Sequence, residues 1–233
     1  MCGIAGIYFF NNNQSLQPDK VQKTLSALQH RGPDHQNHFT FKKCTLFHAR
    51  LSILDLSPAS NQPFIEEHKQ KGLIFNGEIF NYKDLKQNLG TLKTTGDVEV
   101  LYNLFNNEGN TCLYKLNGFF SFAFYDSQKD ELNVVRDRFG VKPLYYFLDN
   151  EKLAFASELR PLLQLIGKQT LNNNALNTYL RLNYISGKET VFNNVYRLLP
   201  GELIEVKNNQ VNVRSWYEIP QDKPENSIQD ILS

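Results

Sequence analysis

The sequence predicts an α+β fold built mainly from antiparallel sheets. Three observations carry that expectation. Short apolar segments with strand spacing outnumber the helical ones. Several lie in pairs across tight polar turns, as at Asp149-Asn150 and Asn208-Asn209. Strand-helix-strand alternations, which a doubly wound parallel sheet needs, are few.

In order along the chain, residues 2–10 form an apolar run rich in Ile, Tyr and Phe that stops at Asn11-Asn12-Asn13 and reads as a buried strand. From Pro18 the spacing of Val21, Leu25 and Leu28 is helical, and His30-Arg31-Gly32-Pro33 ends it as a loop. Residues 38–42 and 44–54 read as paired strands, 57–63 as a turn-rich loop, and 72–79 as a strand interrupted by Asn76-Gly77-Glu78. Helices are predicted over 82–89 and from Asp97, a good N-cap residue, through Phe105. Hairpins follow at 118–125 with 131–135, 144–148 with 152–155, and 202–206 with 210–214. Two weaker helical patterns occupy 161–166 and 175–182, and the polar tail after Pro220 reads as a linker or frayed end.

Composition narrows the functional classes. The 233 residues suit one large domain or two small ones. Lys and Arg total 25 against 24 Asp and Glu, which argues against a nucleic-acid or anionic-membrane binder. No run approaches the roughly 18 apolar residues of a membrane span. The apolar start has no Lys or Arg ahead of it and no small-residue cleavage site behind it, which argues against a signal peptide. The expectation is a soluble cytoplasmic protein. Three cysteines and five scattered histidines show no metal-ligand spacing, so no metal site is expected.

A few residues stand out chemically. If methionine aminopeptidase removes Met1, Cys2 carries both a thiol and a free α-amine, a nucleophile and a base on one residue. The competing reading is a small buried residue near a terminus. Asn76-Gly77 supplies two donors suited to an oxyanion, a side-chain amide and a main-chain N–H. On the dipeptide alone, a tight turn is the more economical reading. Arg50 lies in an apolar stretch and must be exposed, paired or bound to a carboxylate. Asp97 is either a helix cap or a partner for an ammonium group. An Arg and an acid together are what an α-amino acid requires. His48 shares a face with Arg50 and reads as structural, Cys44 and Cys112 as core residues, and Arg136-Asp137-Arg138 as an ion-paired loop.

Taken in order, Cys2-Gly3-Ile4-Ala5-Gly6, His30-Arg31-Gly32-Pro33-Asp34, His48-Ala49-Arg50-Leu51-Ser52-Ile53 and Phe75-Asn76-Gly77-Glu78-Ile79-Phe80-Asn81-Tyr82 resemble one family. Thr95-Gly96-Asp97-Val98-Glu99, Arg136-Asp137, Lys142-Pro143-Leu144-Tyr145-Tyr146, Ala156-Ser157-Glu158 and Leu199-Pro200-Gly201 extend the likeness to about Trp216-Tyr217. That family is the N-terminal glutaminase domain of glutamine-hydrolysing asparagine synthetase, a class II amidotransferase of the N-terminal-nucleophile type. The resemblance implies a four-layer α-β-β-α sandwich over residues 2–217, with 218–233 a linker or the start of a missing synthetase domain.

It also implies roles. Cys2 attacks the side-chain amide of L-glutamine, its α-amine acts as base, and Asn76 with Gly77 forms the oxyanion hole. Arg50 binds the α-carboxylate, while Asp97 and Glu78 hold the α-ammonium. Gly96 stands where many members of the family have Ser. The glutaminase half-reaction uses no cofactor. ATP and Mg belong to an ATP-pyrophosphatase domain whose Ser-Gly-Gly-x-Asp-Ser signature this sequence lacks. The expected partners are therefore L-glutamine and a C-terminal or separate synthetase domain, with a homodimer possible and no nucleic acid or membrane. Two alternatives remain open: a non-catalytic docking or regulatory module of a synthetase, and a glutaminase serving an acceptor other than aspartate.

Overall fold

The computed structural model describes residues 1–12, 14–66 and 70–220. Twelve strands and five α-helices follow one another as β1 (Gly3–Phe9), α1 (Pro18–Leu28), β2 (His35–Thr40), β3 (Cys44–Arg50), β4 (Phe64–Glu66), β5 (Lys71–Ile79), α2 (Tyr82–Lys86), α3 (Val98–Glu108), β6 (Gly118–Asp126), β7 (Glu131–Arg136), β8 (Tyr145–Leu148), β9 (Lys152–Ala156), α4 (Leu159–Ile166), α5 (Asn173–Leu182), β10 (Val195–Arg197), β11 (Glu202–Lys207) and β12 (Gln210–Ser215). They form two six-stranded sheets, one in the order β10-β8-β9-β1-β3-β2 and the other β12-β11-β7-β6-β5-β4. Every strand pair in either sheet is antiparallel. The α+β expectation and the four-layer arrangement both hold.

Strand alternation decides which residues go where. Successive side chains point to opposite faces, so every second residue shares a face. Ile4 and Tyr8 of β1, Cys44 and Leu46 of β3, and Ile74 of β5 pack in one buried cluster between the two sheets, with Ala123, Leu132, Val134, Phe155 and Ile204. The intervening residues face outward. Ala5, Ile7, Phe47 and Ala49 pack under Leu28 of α1 and Leu162 and Leu165 of α4. On the other sheet, Leu73, Phe75, Phe122, Phe124 and Val135 pack under Val98, Leu101, Leu104 and Phe105 of α3. The central strand β1, hydrogen-bonded on both sides and covered on both faces, has an almost continuous apolar sequence for that reason.

Some boundaries differ from the sequence reading. The strand predicted to reach residue 54 ends at Arg50, and Ile53, Leu54 and Leu56 are exposed in a loop although their composition suits a strand. The helix predicted over 82–89 closes at Lys86. The three-residue strands β4 and β10 are too short to show a period. Asp97 precedes α3, yet its side chain makes no cap bond there. Asn76-Gly77 is no turn: both residues continue β5, paired with Ser121 and Phe120 of β6. The segment around Arg136-Asp137 is held by main-chain groups instead of an ion pair. Arg136 Nε donates to the Lys142 carbonyl at 2.8 Å, and Asp137 accepts the N–H groups of Phe139, Val141 and Lys142 at 3.1, 3.0 and 2.9 Å. Most of the linker predicted over 218–233, from residue 221 onward, and His68 lie outside the described residues. No helix among the described residues is long and apolar enough to cross a membrane.

Candidate active site

The apolar layer between the sheets gives way to polar side chains at one end, and the same alternation supplies them. Continuing the inward set of β3 past Cys44 and Leu46 gives His48 and Arg50; continuing that of β5 past Ile74 gives Asn76 and Glu78. On β1 the inward set Ile4, Gly6, Tyr8 runs back to Cys2. The β1–β3 register pairs Gly3 with Ala49, and one pair further on Cys2 comes beside Arg50. Cys2, Arg50, Asn76, Gly77, Glu78 and Asp97, all six residues expected from the sequence, line one cavity of about 90 Å³. Asp55, Ser60, Gln62, Gly96 and Lys142 also line it.

Cys2 is anchored by its surroundings. Its Sγ accepts the Leu51 N–H at 3.4 Å and donates to the Leu51 carbonyl at 3.6 Å. Arg31 donates from Nε to the Cys2 carbonyl at 2.9 Å and from Nη1 to Glu158 at 2.6 Å, which ties the start of the chain to the residue that precedes α4. The next residues are held by Ser157, whose Oγ accepts the Ile4 N–H at 3.1 Å. Burial pushes the Cys2 thiol up, opposed by the Leu51 bond, the terminal amine and Arg50. A thiol raised in this way is protonated near neutral pH and needs a base to become a nucleophile. Met1 precedes it and lines the same cavity.

His48 cannot be that base. It is wholly buried, burial lowers it to about 3, and its Nε2 donates to the Phe75 carbonyl at 3.1 Å. Its role is to tie β3 to β5 across the sandwich, as the sequence reading expected.

The edge of β5 explains the donors. Beyond Leu73 the strand has no β4 partner, so the N–H groups of Phe75, Gly77 and Ile79 share an open edge. Gln62 Oε1 takes the first at 2.6 Å, and Asp97 Oδ2 takes the third at 3.0 Å. Gly77 lies between them, and its N–H points the same way, into the cavity. A side chain at Gly77 is excluded from the other direction: a Cβ would meet the Phe119 carbonyl oxygen at 2.1 Å. Next to it, Asn76 is buried, and neither its Nδ2 nor its Oδ1 has a hydrogen-bond partner. A primary amide sealed from water with both ends unpaired is costly unless a ligand completes it.

Two charged groups flank these donors. The Arg50 guanidinium is buried and held by the loop after β3: Nη1 donates to the Ser57 carbonyl at 2.9 Å and to Asn61 Oδ1 at 2.6 Å, and Nη2 donates to the Asp55 carbonyl. Those bonds use three of its five donors. Asp97 is buried too, and burial raises it to about 6, with the nearby Glu78 carboxylate adding to the rise and the Ile79 N–H opposing it. A cation on one wall and an acid pair on the other match the two α-groups of an amino acid. Gln62 and Asp55 were missed in the sequence. Neither belongs to a motif with a mechanism, and only the loop's path brings them to the cavity. Among the described residues no group of three or more His, Cys, Asp or Glu side chains is placed to hold a metal ion.

Comparison with known proteins places the chain in a family. Residues 1–217 match the family described as glutamine amidotransferase domain. The chain belongs to the glutamine amidotransferase domain family. A putative glutamine-hydrolysing asparagine synthetase 2 of Methanocaldococcus jannaschii is 33% identical over 96% of this chain and 48% of its own length. Asparagine synthetase 2 of Bacillus subtilis, also described as glutamine-hydrolysing, is 34% identical over 100% of this chain and 31% of its own length. The chain thus spans half or less of the length of these relatives. Among solved structures, glutamine phosphoribosylpyrophosphate amidotransferase of Bacillus subtilis shares the fold of this amidotransferase domain with a TM-score of 0.65 at 19% identity, over 93% of this chain and 49% of that one.

Proposed function

We propose that this amidotransferase domain hydrolyses the side-chain amide of L-glutamine to glutamate and ammonia through a thioester on Cys2, and that the ammonia serves an ATP-dependent amidation of aspartate in a synthetase domain. The observation that carries the hydrolysis is the buried, doubly unpartnered Asn76 amide in the cavity that holds Cys2. A donor of that kind beside a thiol fits a developing oxyanion better than any structural role.

The reaction requires Met1 to be removed, so that the Cys2 α-amine is free. Its ordinary pKa of about 7.7–8.0 lets it take a thiol proton near neutral pH. Arg50 holds the substrate α-carboxylate, and Asp97 with Glu78 holds the α-ammonium, which presents the amide to Sγ. As Sγ attacks the amide carbon, its proton passes to the α-amine, and the oxygen takes up charge opposite Asn76 Nδ2 and the Gly77 N–H. Collapse breaks the C–N bond, the α-ammonium returns the proton to the leaving nitrogen, and ammonia departs. Water then adds to the thioester, giving its proton to the same amine. Collapse of the second intermediate breaks the C–S bond, the thiol is reprotonated, and glutamate leaves. Thiol, amine and water suffice for this cycle, so the half-reaction needs no cofactor; ATP and Mg would act only in the synthetase domain. The need for a reduced thiol suits a cytoplasmic setting.

The support for aspartate as acceptor is the likeness to the two asparagine synthetases, together with their additional length. Release of glutamate and ammonia from L-glutamine by the processed protein tests the hydrolysis. Asparagine formation with aspartate and ATP, once the synthetase domain is supplied, tests the acceptor.

A further inference from the structure

Asp55 joins the two sides of the cavity. Its Oδ1 accepts the Ser57 N–H at 2.8 Å, which folds the loop after β3 back on itself. Its Oδ2 accepts the Thr95 N–H at 2.8 Å, from the segment that leads into Asp97. Its own carbonyl accepts Arg50 Nη2. One buried residue therefore touches the guanidinium on one wall and the main-chain N–H of Thr95, two residues before the carboxylate-bearing Asp97, on the other. The bonds from Ser57 and Thr95 hold its carboxyl well below the usual range, so it stays charged.

The segment it grips is anchored from the far side as well. Glu99, in the first turn of α3, accepts the N–H groups of Lys93 and Thr94 at 3.1 and 2.7 Å. Gly96 leaves room for the contact: a Cβ there would sit 3.2 Å from the Asp55 Cβ, tighter than an ordinary contact. The loop carrying Arg50's partners connects β3 to β4, the segment carrying Asp97 connects α2 to α3, and among the described residues the side-chain hydrogen bond that joins the two is the one Asp55 accepts from Thr95.

We propose that Asp55 is a positioning residue that sets the distance between Arg50 and Asp97, and with it the preference for a ligand carrying both an α-carboxylate and an α-ammonium. The inference rests on the glutaminase reading. It assigns Asp55 no part in bond making at Cys2. Its signature is a loss confined to substrates held at both α-groups.

The test is Asp55→Asn in the natural protein with Met1 removed, assayed with L-glutamine and with its desamino analogue, which lacks the ammonium. The substitution keeps the shape but turns one N–H acceptor into a donor. The expected result is a KM for L-glutamine raised about tenfold, with kcat moved less than about threefold. The preference for L-glutamine over the desamino analogue should fall by the same factor, and amide hydrogen exchange over residues 93–97 should quicken. Thr95→Pro, which deletes the N–H and leaves the carboxylate, should give the same split. If both substrates lose activity equally, or the preference is unchanged in either variant, Asp55 serves the fold alone and the proposal is overturned. If the parent protein hydrolyses no glutamine, the glutaminase reading falls and takes this inference with it.

Discussion

The carboxylate of Asp97 accepts the main-chain N–H of Ile79 at 3.0 Å, two residues along β5 from Gly77. That bond holds an acid where a helix start would otherwise direct it at its own turn. It also fills the edge position next to the Gly77 N–H, so that the open donor is flanked by satisfied ones. On the proposed mechanism, substrate recognition and oxyanion binding are thus set by the same short stretch of strand.

On the proposed mechanism, Asp97 makes glutamine binding depend on pH. Burial raises it to about 6, so it loses its charge, and its hold on an ammonium group, as pH falls through that value. In the Cys2→Ala variant, which binds without turnover, glutamine affinity should be flat from about pH 8 to 7. Below about 6 it should weaken by about tenfold per unit. Calorimetric titration across that range measures it.

The same burial carries a stability consequence, and its sign is fixed. The folded pKa of Asp97 lies above the ordinary 3.8, so ionisation opposes folding: not at all below about pH 4, increasingly between 4 and 6, and fully above 6. Asp97→Asn, which can still accept from Ile79, should stabilise the protein by about 1 to 3 kcal/mol at pH 7 and by almost nothing at pH 4. It should raise the glutamine KM at pH 7. Chemical denaturation at the two pH values checks the first, and steady-state kinetics the second.

Asn76→Ala should separate function from folding. Losing one oxyanion donor lowers kcat on the order of 10²–10³ with little change in KM. Because neither polar atom of Asn76 has a partner in the fold, their removal should leave thermal stability unchanged or raised. Parallel kinetics and melting curves decide both.

Much of this was legible in the sequence, through the two-residue period of strands. The apolar sets Cys44-Leu46 and Ile74 run on into His48-Arg50 and Asn76-Glu78, which is how a core strand becomes a site wall. The ordered motifs identified the six lining residues before any coordinates. Local dipeptide chemistry misled where tertiary pairing overrode it: Asn76-Gly77 reads as a turn, yet pairing with β6 keeps it extended. The cap expected of Asp97 yielded to an unpaired N–H across the cavity. Gln62 and Asp55 gave no signal, because their roles come from a loop whose path no periodicity reports.

Gly77→Ala should fail on packing as well as chemistry. The new methyl would meet the Phe119 carbonyl oxygen at 2.1 Å, so β5 and β6 must part locally. We expect a destabilisation of about 1–3 kcal/mol, the range for overpacked sites. A fall in kcat should accompany it as the main-chain donor shifts. Denaturation and turnover, measured on one preparation, test the pair.

The most direct test of the central claim is covalent. Protein freed of Met1 is treated with 6-diazo-5-oxo-L-norleucine, a glutamine analogue with an electrophilic carbon where the amide stands, and then mapped by peptide mass. The account predicts one adduct per chain, on the Cys2 sulfur of the N-terminal peptide, and protection by L-glutamine. An unmodified Cys2 in that processed protein, or an adduct on Cys44 or Cys112 instead, would contradict it.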